Sequence, residues 1–195
     1  MKERKNEVDF QELVNSNPKN CSLKEYQFIG ALIQSYTPCN VLVFGVGYDS
    51  PYWIKLNQGG MTWFLENSLI WANRIKDKIP EIQIEMVNYT TKRLQWRRLM
   101  NQAVKLALCL PDTILNLDWD VIFVDAPLGS NRKTPGRMQS IYSASRLNYK
   151  HILVHDCNRK VERKYFKKFI GEPDNIIDKL FHKSLVQTKF NTLIA

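Results

Sequence analysis

This sequence predicts a doubly wound α/β domain, and three observations support that reading. Short apolar, β-branched runs recur along the chain, beginning with Val41-Leu42-Val43-Phe44, as strands buried on both faces do. Segments whose apolar residues keep helical spacing separate these runs. Glycines and carboxylates stand where the runs end, at Gly45-Val46-Gly47, Glu66, Asp125 and His155-Asp156.

Taken in order, residues 1–20 are polar and charged and read as a loose N-terminal arm, with a single domain from 21 to 195. Ser22 with Glu25 three residues on is a capping box, starting a helix over Leu23–Tyr36 that Pro38 closes. The first strand, Val41 to Phe44, ends in the glycine turn, where bare backbone can approach a ligand. A short helix around Trp53 leads to a second apolar run, Met61 to Leu65, ending on Glu66. Asn67 or Ser68 caps a helix to Ile79, and Ile82, Ile84 and Met86 alternate as a third strand ending at Asn88-Tyr89. Residues 92–110 read as helical with a basic start. A fourth strand, Trp119 to Val124, ends at Asp125-Ala126-Pro127. A basic loop, Leu128 to Gly136, precedes a helix from Arg137 to Leu147. His151 to Val154 is a fifth strand, followed directly by His155-Asp156.

Arg159 to Ile170 is an amphipathic helix. Val161, Tyr165, Phe166, Phe169 and Ile170 lie on one half, and Arg159, Lys160, Arg163, Lys164, Lys167 and Lys168 on the other. Two last strands, Lys179–Val186 and Lys189–Ile194, form an antiparallel hairpin. Five β–α alternations closed by a hairpin give the strand order of the Rossmann-like methyltransferase fold, a mostly parallel seven-stranded sheet. A nucleoside then lies across the carboxyl ends of the strands.

At 195 residues, 44% hydrophobic and 24% charged, the chain is sized and composed for one globular domain. Its net charge of +9 favours an anionic partner. No aromatic-interleaved RNA motif is present, so nucleic acid is not the expected target. Cys21, Cys39, Cys109 and Cys157 form no CxxC pair, which argues against structural zinc. No apolar run reaches the ~18 residues of a membrane span, and MKERKNEVDF lacks a signal-peptide core, so a soluble, cytoplasmic chain is expected. Nothing fixes an oligomeric state.

The strand ends supply the chemistry. Gly45, Gly47, Asp49, Ser50, Asn88, Tyr89 and Asp125 line the expected nucleoside cleft. Glu66, about 20 residues past the glycine turn, suits ribose hydroxyls. Ser50 stands where a dinucleotide fingerprint has its third glycine, which argues against NAD and leaves S-adenosylmethionine as the expected cofactor. Asp125 and Asp156 end neighbouring strands. Together they could hold a divalent metal that polarises a hydroxyl for methyl transfer, with His155 as base or further ligand. Asp125 could instead only position the cofactor or cap a helix, and His155 could only make a structural hydrogen bond. Arg132, Lys133 and Arg137 flank the expected rim, where they could receive an anionic group of the acceptor.

The residues resemble the plant glucuronoxylan 4-O-methyltransferases and their relatives in xylan biosynthesis. The resemblance rests on VLVFGVGYDS with Trp53 and Leu56-Asn57, on Gly60-x-Thr62-x-Phe64-Leu65-Glu66, and on Val87-x-Tyr89-x-Thr91. It continues through Lys105 to Leu108, Leu110-Pro111, Trp119-Asp120, Val124-Asp125-Ala126-Pro127-x-Gly129 and Pro135 to Met138 with Ile141-Tyr142. His155-Asp156-x-x-Arg159-x-Val161-Glu162 completes it.

The resemblance implies methylation of the 4-hydroxyl of glucuronic acid on xylan side chains, using S-adenosylmethionine and aided by a divalent metal. Gly45, Gly47, Asp49, Ser50 and Glu66 would hold the cofactor, Asp125, His155 and Asp156 would sit at the transferred methyl, and Arg137 would face the uronate. The acceptor would be a uronic-acid-bearing oligo- or polysaccharide. Tyr48 stands where the plant enzymes usually carry His. The plant proteins also carry a Golgi anchor that this sequence lacks, so a plant origin would put the chain in the Golgi lumen. Two other readings remain open at this point. One is a non-catalytic relative that binds acidic glycan or a biosynthetic partner. The other is nucleic-acid methylation, motivated by the charge alone.

Overall fold

The computed structural model describes residues 8–18 and 20–185. Seven strands form one sheet in the order β3-β2-β1-β4-β5-β7-β6. These are β1 (Asn40–Phe44), β2 (Met61–Glu66), β3 (Gln83–Met86), β4 (Asp118–Val124), β5 (Asn148–Val154), β6 (Asn175–Ile177) and β7 (Leu180–Ser184). β1 to β5 pair in parallel, while β7 runs antiparallel to both β5 and β6. This is the mostly parallel sheet with a C-terminal antiparallel pair expected of the Rossmann-like methyltransferase fold. The order reverses between β1 and β4, so their carboxyl ends flank a cleft.

Both faces of the sheet are covered, which explains why its strands read as continuous apolar runs. Val41, Val43, Phe64, Val121 and Phe123 pack with α2 (Leu23–Tyr36), α3 (Ser50–Leu56) and α4 (Leu69–Lys76). The alternate residues Leu42, Phe44, Leu65, Ile122 and Val124 pack on the other face with α7 (Met138–Ala144) and α8 (Lys160–Phe169). The Ser22/Glu25 capping box forms as its spacing implies. Asn57 bridges the Cys39 backbone, donating from Nδ2 to its carbonyl and accepting its amide on Oδ1. Gly60 lies so close to that bridge that any Cβ there would collide with it. The Leu56-Asn57 and Gly60 motifs therefore serve the fold.

Three expectations change. The segment read as a loose arm holds α1 (Phe10–Ser16), capped by Asp9, with Leu13 fully buried and Phe10 stacked on Tyr26. Residues 92–110 do not form one helix. After a 3-10 turn at Arg93–Gln95 comes α5 (Trp96–Leu99), then a second 3-10 turn at Ala103–Leu106. Leu106 at the end of that turn and Leu108 and Leu110 beyond it are buried with period two, and the Leu108 amide donates to Ser143 Oγ. A short helix, α6 (Asp112–Leu115), then leads into β4. The C-terminal hairpin lies earlier than expected, because Asp178 adopts φ 49° and with Lys179 makes the two-residue turn between β6 and β7. The expected strand Lys189–Ile194 lies outside the described residues. Among the described residues no helix is long and apolar enough to cross a membrane, and all four cysteines are free thiols.

Candidate functional site

The site is built where β1, β2, β4 and β5 end. Gly45 takes φ +112°, and a Cβ on it would stand 2.8 Å from the Ala126 Cβ, so only glycine lets the two strand ends approach. Glu66 folds back beneath this turn. Its Oε2 accepts the Val46 amide at 2.9 Å, and its Oε1 accepts those of Asn67 and Ser68 at 2.8 and 2.6 Å. The Gly47 amide donates to the buried Ser50 Oγ. Asp49, also buried, is pushed up to about 7 by burial and by the charge of Asp125.

At the ends of β4 and β5 lies an alternating chain of charge. Arg137 Nη2 lies 2.7 Å from Asp125 Oδ1 and 2.7 Å from Asp156 Oδ2, and Arg159 Nη1 lies 2.9 Å from that same Asp156 oxygen. His155 Nδ1 lies 2.9 Å from Asp125 Oδ1, and its Nε2 lies 3.5 Å from Glu25 Oε2. Burial alone would lower the His155 pKa, but the charge and hydrogen bond of Asp125, with Glu25, lift it to about 9. His155 is therefore an imidazolium at neutral pH and donates to Asp125. Burial would raise the Asp125 pKa, but Arg137 and His155 hold it below the usual carboxylate range. Asp156 is placed by a left-handed backbone, φ 63°, which Asp tolerates better than bulkier residues.

The structure gathers Gly45, Gly47, Asp49, Ser50, Glu66, Asp125, His155 and Asp156 at the carboxyl ends of β1, β2, β4 and β5. Asn88 is exposed at the end of β3. Tyr89 turns inward: Ser140 Oγ gives its proton to the Ala126 carbonyl, so the Tyr89 hydroxyl donates to Ser140 at 2.8 Å. Arg132 and Lys133 are exposed, as a rim requires. Arg137 is not on the rim. It is 5% exposed, drawn inward because it neutralises Asp125 and Asp156 together.

Sequence reasoning missed the second role of Glu25. Both its oxygens already accept amides, Oε2 from Ser22 and Oε1 from Lys179, and the same carboxylate faces His155. The capping box was legible, but its long-range contact was not. Gln139, whose Oε1 accepts the Thr90 and Thr91 amides and so ties the end of β3 to α7, left no signal either.

Two groups implied by the sequence can be tested against this geometry. For S-adenosylmethionine the fit is good. Asp49 is buried, and with that burial the charge of partly buried Asp125 raises its pKa, an arrangement that a cationic ligand relieves. For a divalent metal the fit is poor. Ligand atoms of Asp125, His155 and Asp156 lie within 4.8 Å of one another, but Arg137 Nη2 already bridges the two carboxylates and a protonated imidazole faces one of them.

The sequence profile of the IRX15/IRX15L/GXM family matches residues 24–109 and 95–180. Glucuronoxylan 4-O-methyltransferase 1 of Arabidopsis thaliana is 36% identical over 174 residues, covering 77% of this chain and 62% of its own length. Arabinogalactan O-methyltransferase 2 of the same plant is 34% identical over 190 residues, covering 83% of this chain and 65% of its own length. The chain thus spans less than two thirds of these relatives. Among solved structures, CalS10 of Micromonospora echinaspora, an amino pentose methyltransferase, is 12% identical with a TM-score of 0.41, covering 76% of this chain and 56% of its own. With its profile match extending from α2 to the start of β7, the chain belongs to the IRX15/IRX15L/GXM family.

Proposed function

We propose that this chain is an S-adenosylmethionine-dependent O-methyltransferase acting on a sugar hydroxyl of an acidic glycan, with the 4-hydroxyl of glucuronic acid as in glucuronoxylan the first acceptor to test. The observation that carries the reading is the convergence of buried Asp49 and partly buried Asp125 beside the Gly45 turn, close enough for the charge of Asp125 to bear on Asp49. The names of the relatives, two O-methyltransferases of plant glycans, support the acceptor class.

In this reading Gly45, Gly47, Ser50 and Glu66 shape the nucleoside half of the cleft, and Asp49 with Asp125 faces its cationic portion. Bound S-adenosylmethionine supplies an electrophilic methyl group. Asp125 and Asp156 are the acceptors open to an incoming hydroxyl, and one of them receives its proton as the oxygen is methylated. Arg137 and His155 fix the Asp125 carboxylate in place, so little reorganisation is needed during the reaction. His155 is already protonated at neutral pH and serves as a charge partner, not as the base. No step is assigned to a metal.

Isothermal calorimetry with S-adenosylhomocysteine tests the reading. Saturable binding that weakens in Asp49→Ala supports it, and absence of heat at millimolar ligand removes it.

A further inference from the structure

Three segments, 86–111, 126–155 and 157–171, hold 16 of the chain's 28 Lys and Arg. Of its 19 Asp and Glu they hold only Glu162, which is buried. The rest of the chain has the opposite balance, 12 basic residues against 18 acidic. The fold brings the parts of these three segments near the strand carboxyl ends together, whereas Lys150, near the start of β5, pairs with Asp120. The Arg93 amide donates to the Thr134 carbonyl at 2.7 Å and the Leu94 amide to that of Arg132 at 3.0 Å, placing Lys92 beside the Arg132-Lys133 rim. Beyond them, the Tyr165 hydroxyl donates to the Trp96 carbonyl at 2.8 Å, and Lys168 Nζ donates to Asn101 Oδ1 at 3.0 Å. These contacts dock α8 against α5. The exposed Arg97 and Arg98 of α5 and the exposed Lys164 and Lys168 of α8 therefore continue the basic rim away from the cleft.

From this geometry we infer that the basic band running from the cleft mouth over α5 and α8 binds the chain of an acidic polysaccharide beyond the sugar being modified. The inference rests on the proposed function, since it takes the sugar in the cleft to be one unit of that chain. A solvated face would be expected to mix both signs of charge, whereas α5 and α8 expose no acid of their own and Glu172, paired with Lys167 at 2.6 Å, is the acid beside them. A polyuronide fits better than a nucleic acid because the aromatic groups of the band are turned inward. Tyr165 is buried, and Trp96 and Phe169 pack against the core, so no platform is left for stacking bases.

The test is fluorescence anisotropy with labelled polygalacturonate oligomers, one short and one long, on the full chain and on a variant with Arg97→Gln, Arg98→Gln, Lys164→Gln and Lys168→Gln. These side chains are exposed and outside the cleft, and S-adenosylhomocysteine affinity serves as the control for folding. The wild type binds the long oligomer at least about tenfold more tightly than the short one at low salt, by releasing more counterions. The variant loses that preference and keeps its cofactor affinity. A variant that retains the length preference overturns the inference, and so does single-stranded RNA that outcompetes the polyuronide at equal length and salt. A wild type that prefers long polyuronide without binding S-adenosylhomocysteine refutes the enzyme reading and leaves the band standing. Cofactor binding without any length preference refutes the band alone.

Discussion

Arg137 reaches Asp125 from inside the protein: its Nη2 donates to Asp125 Oδ1 at 2.7 Å while only 6% of the Arg137 side chain is exposed. A guanidinium buried between Asp125 and Asp156 is required for folding before it can contribute to acceptor binding. Removing one partner of a buried ion pair leaves an uncompensated charge and costs about 3–5 kcal/mol. Arg137→Leu should therefore lower the unfolding free energy by about that amount in urea titrations. Arg137→Lys, which keeps the charge and can offer one donor atom as Nη2 does, but on a shorter side chain, should lose less of it. A wild-type midpoint in both variants would show that the bridge contributes nothing.

His155 ties stability to alkaline pH. Its folded pKa of about 9 lies above the ordinary value of 6.5, so the folded state holds the proton more tightly. That contribution is complete below about pH 6.5 and is lost as pH rises through about 9. His155→Gln should be less stable than wild type at pH 6 and should lack this alkaline decline. Parallel melting curves for the two proteins from pH 6 to 10 would refute the assignment.

His151 and His182 act in the opposite direction. His182 Nε2 lies 3.0 Å from His151 Nδ1, both rings buried, and His151 Nε2 lies 2.8 Å from the hydroxyl of partly buried Tyr36. Burial, with Lys150 near one and His151 near the other, lowers both to about 4. The unfolded chain takes up protons below about 6.5 that the folded chain refuses, so stability falls as pH drops from about 6.5 toward 4. His182→Phe should flatten that acid limb, as thermal melts between pH 4 and 7 would reveal.

Much of the fold was legible because its signals are local. The Ser22/Glu25 box, the four apolar strands and the glycine turn each declare themselves within a few residues. The segment 92–110 misled because its basic start suggested a helix, while Leu106, Leu108 and Leu110 obeyed a two-residue period. In the site, the strand ends named Asp125, His155 and Asp156. Pairing across 12 or more residues decided the rest: it drew Arg137 inward and turned Glu25 toward His155. The bond of the Tyr89 hydroxyl to Ser140, on a helix 51 residues away, left no local signal.

Asp49 links cofactor binding to protons. Burial and Asp125 raise its pKa to about 7, so below that pH its carboxyl is protonated. A cationic ligand favours the carboxylate, so S-adenosylmethionine binding at pH 6 should release a proton and tighten as pH rises through about 7. Calorimetry at pH 6 in buffers of different ionisation enthalpy reads this directly. Heats that do not vary with buffer would contradict it, and Asp49→Asn should abolish the dependence.

Glu66 has two duties that can be separated. It accepts three backbone amides, and in the proposed function it faces the ribose. Glu66→Ala should destabilise the fold by about 1–3 kcal/mol through unpaired amides. Glu66→Gln retains one carbonyl acceptor, so its loss in stability should be smaller while S-adenosylhomocysteine affinity still falls by about 1.5–3 kcal/mol. Unchanged affinity in Glu66→Gln would remove Glu66 from the cofactor site.

Methyl transfer to a glycan hydroxyl at the Asp125 strand end, as proposed, can be followed by incubating the protein with S-adenosylmethionine and glucuronoxylan oligosaccharides and recording the mass gain of one methyl group. The wild type should give a 4-O-methyl ether on glucuronic acid. Asp125→Asn should transfer at least about a hundredfold more slowly at unchanged fold. Transfer at the wild-type rate by Asp125→Asn, or none on uronate-bearing and arabinogalactan acceptors by a wild type that binds the cofactor, would contradict the proposal.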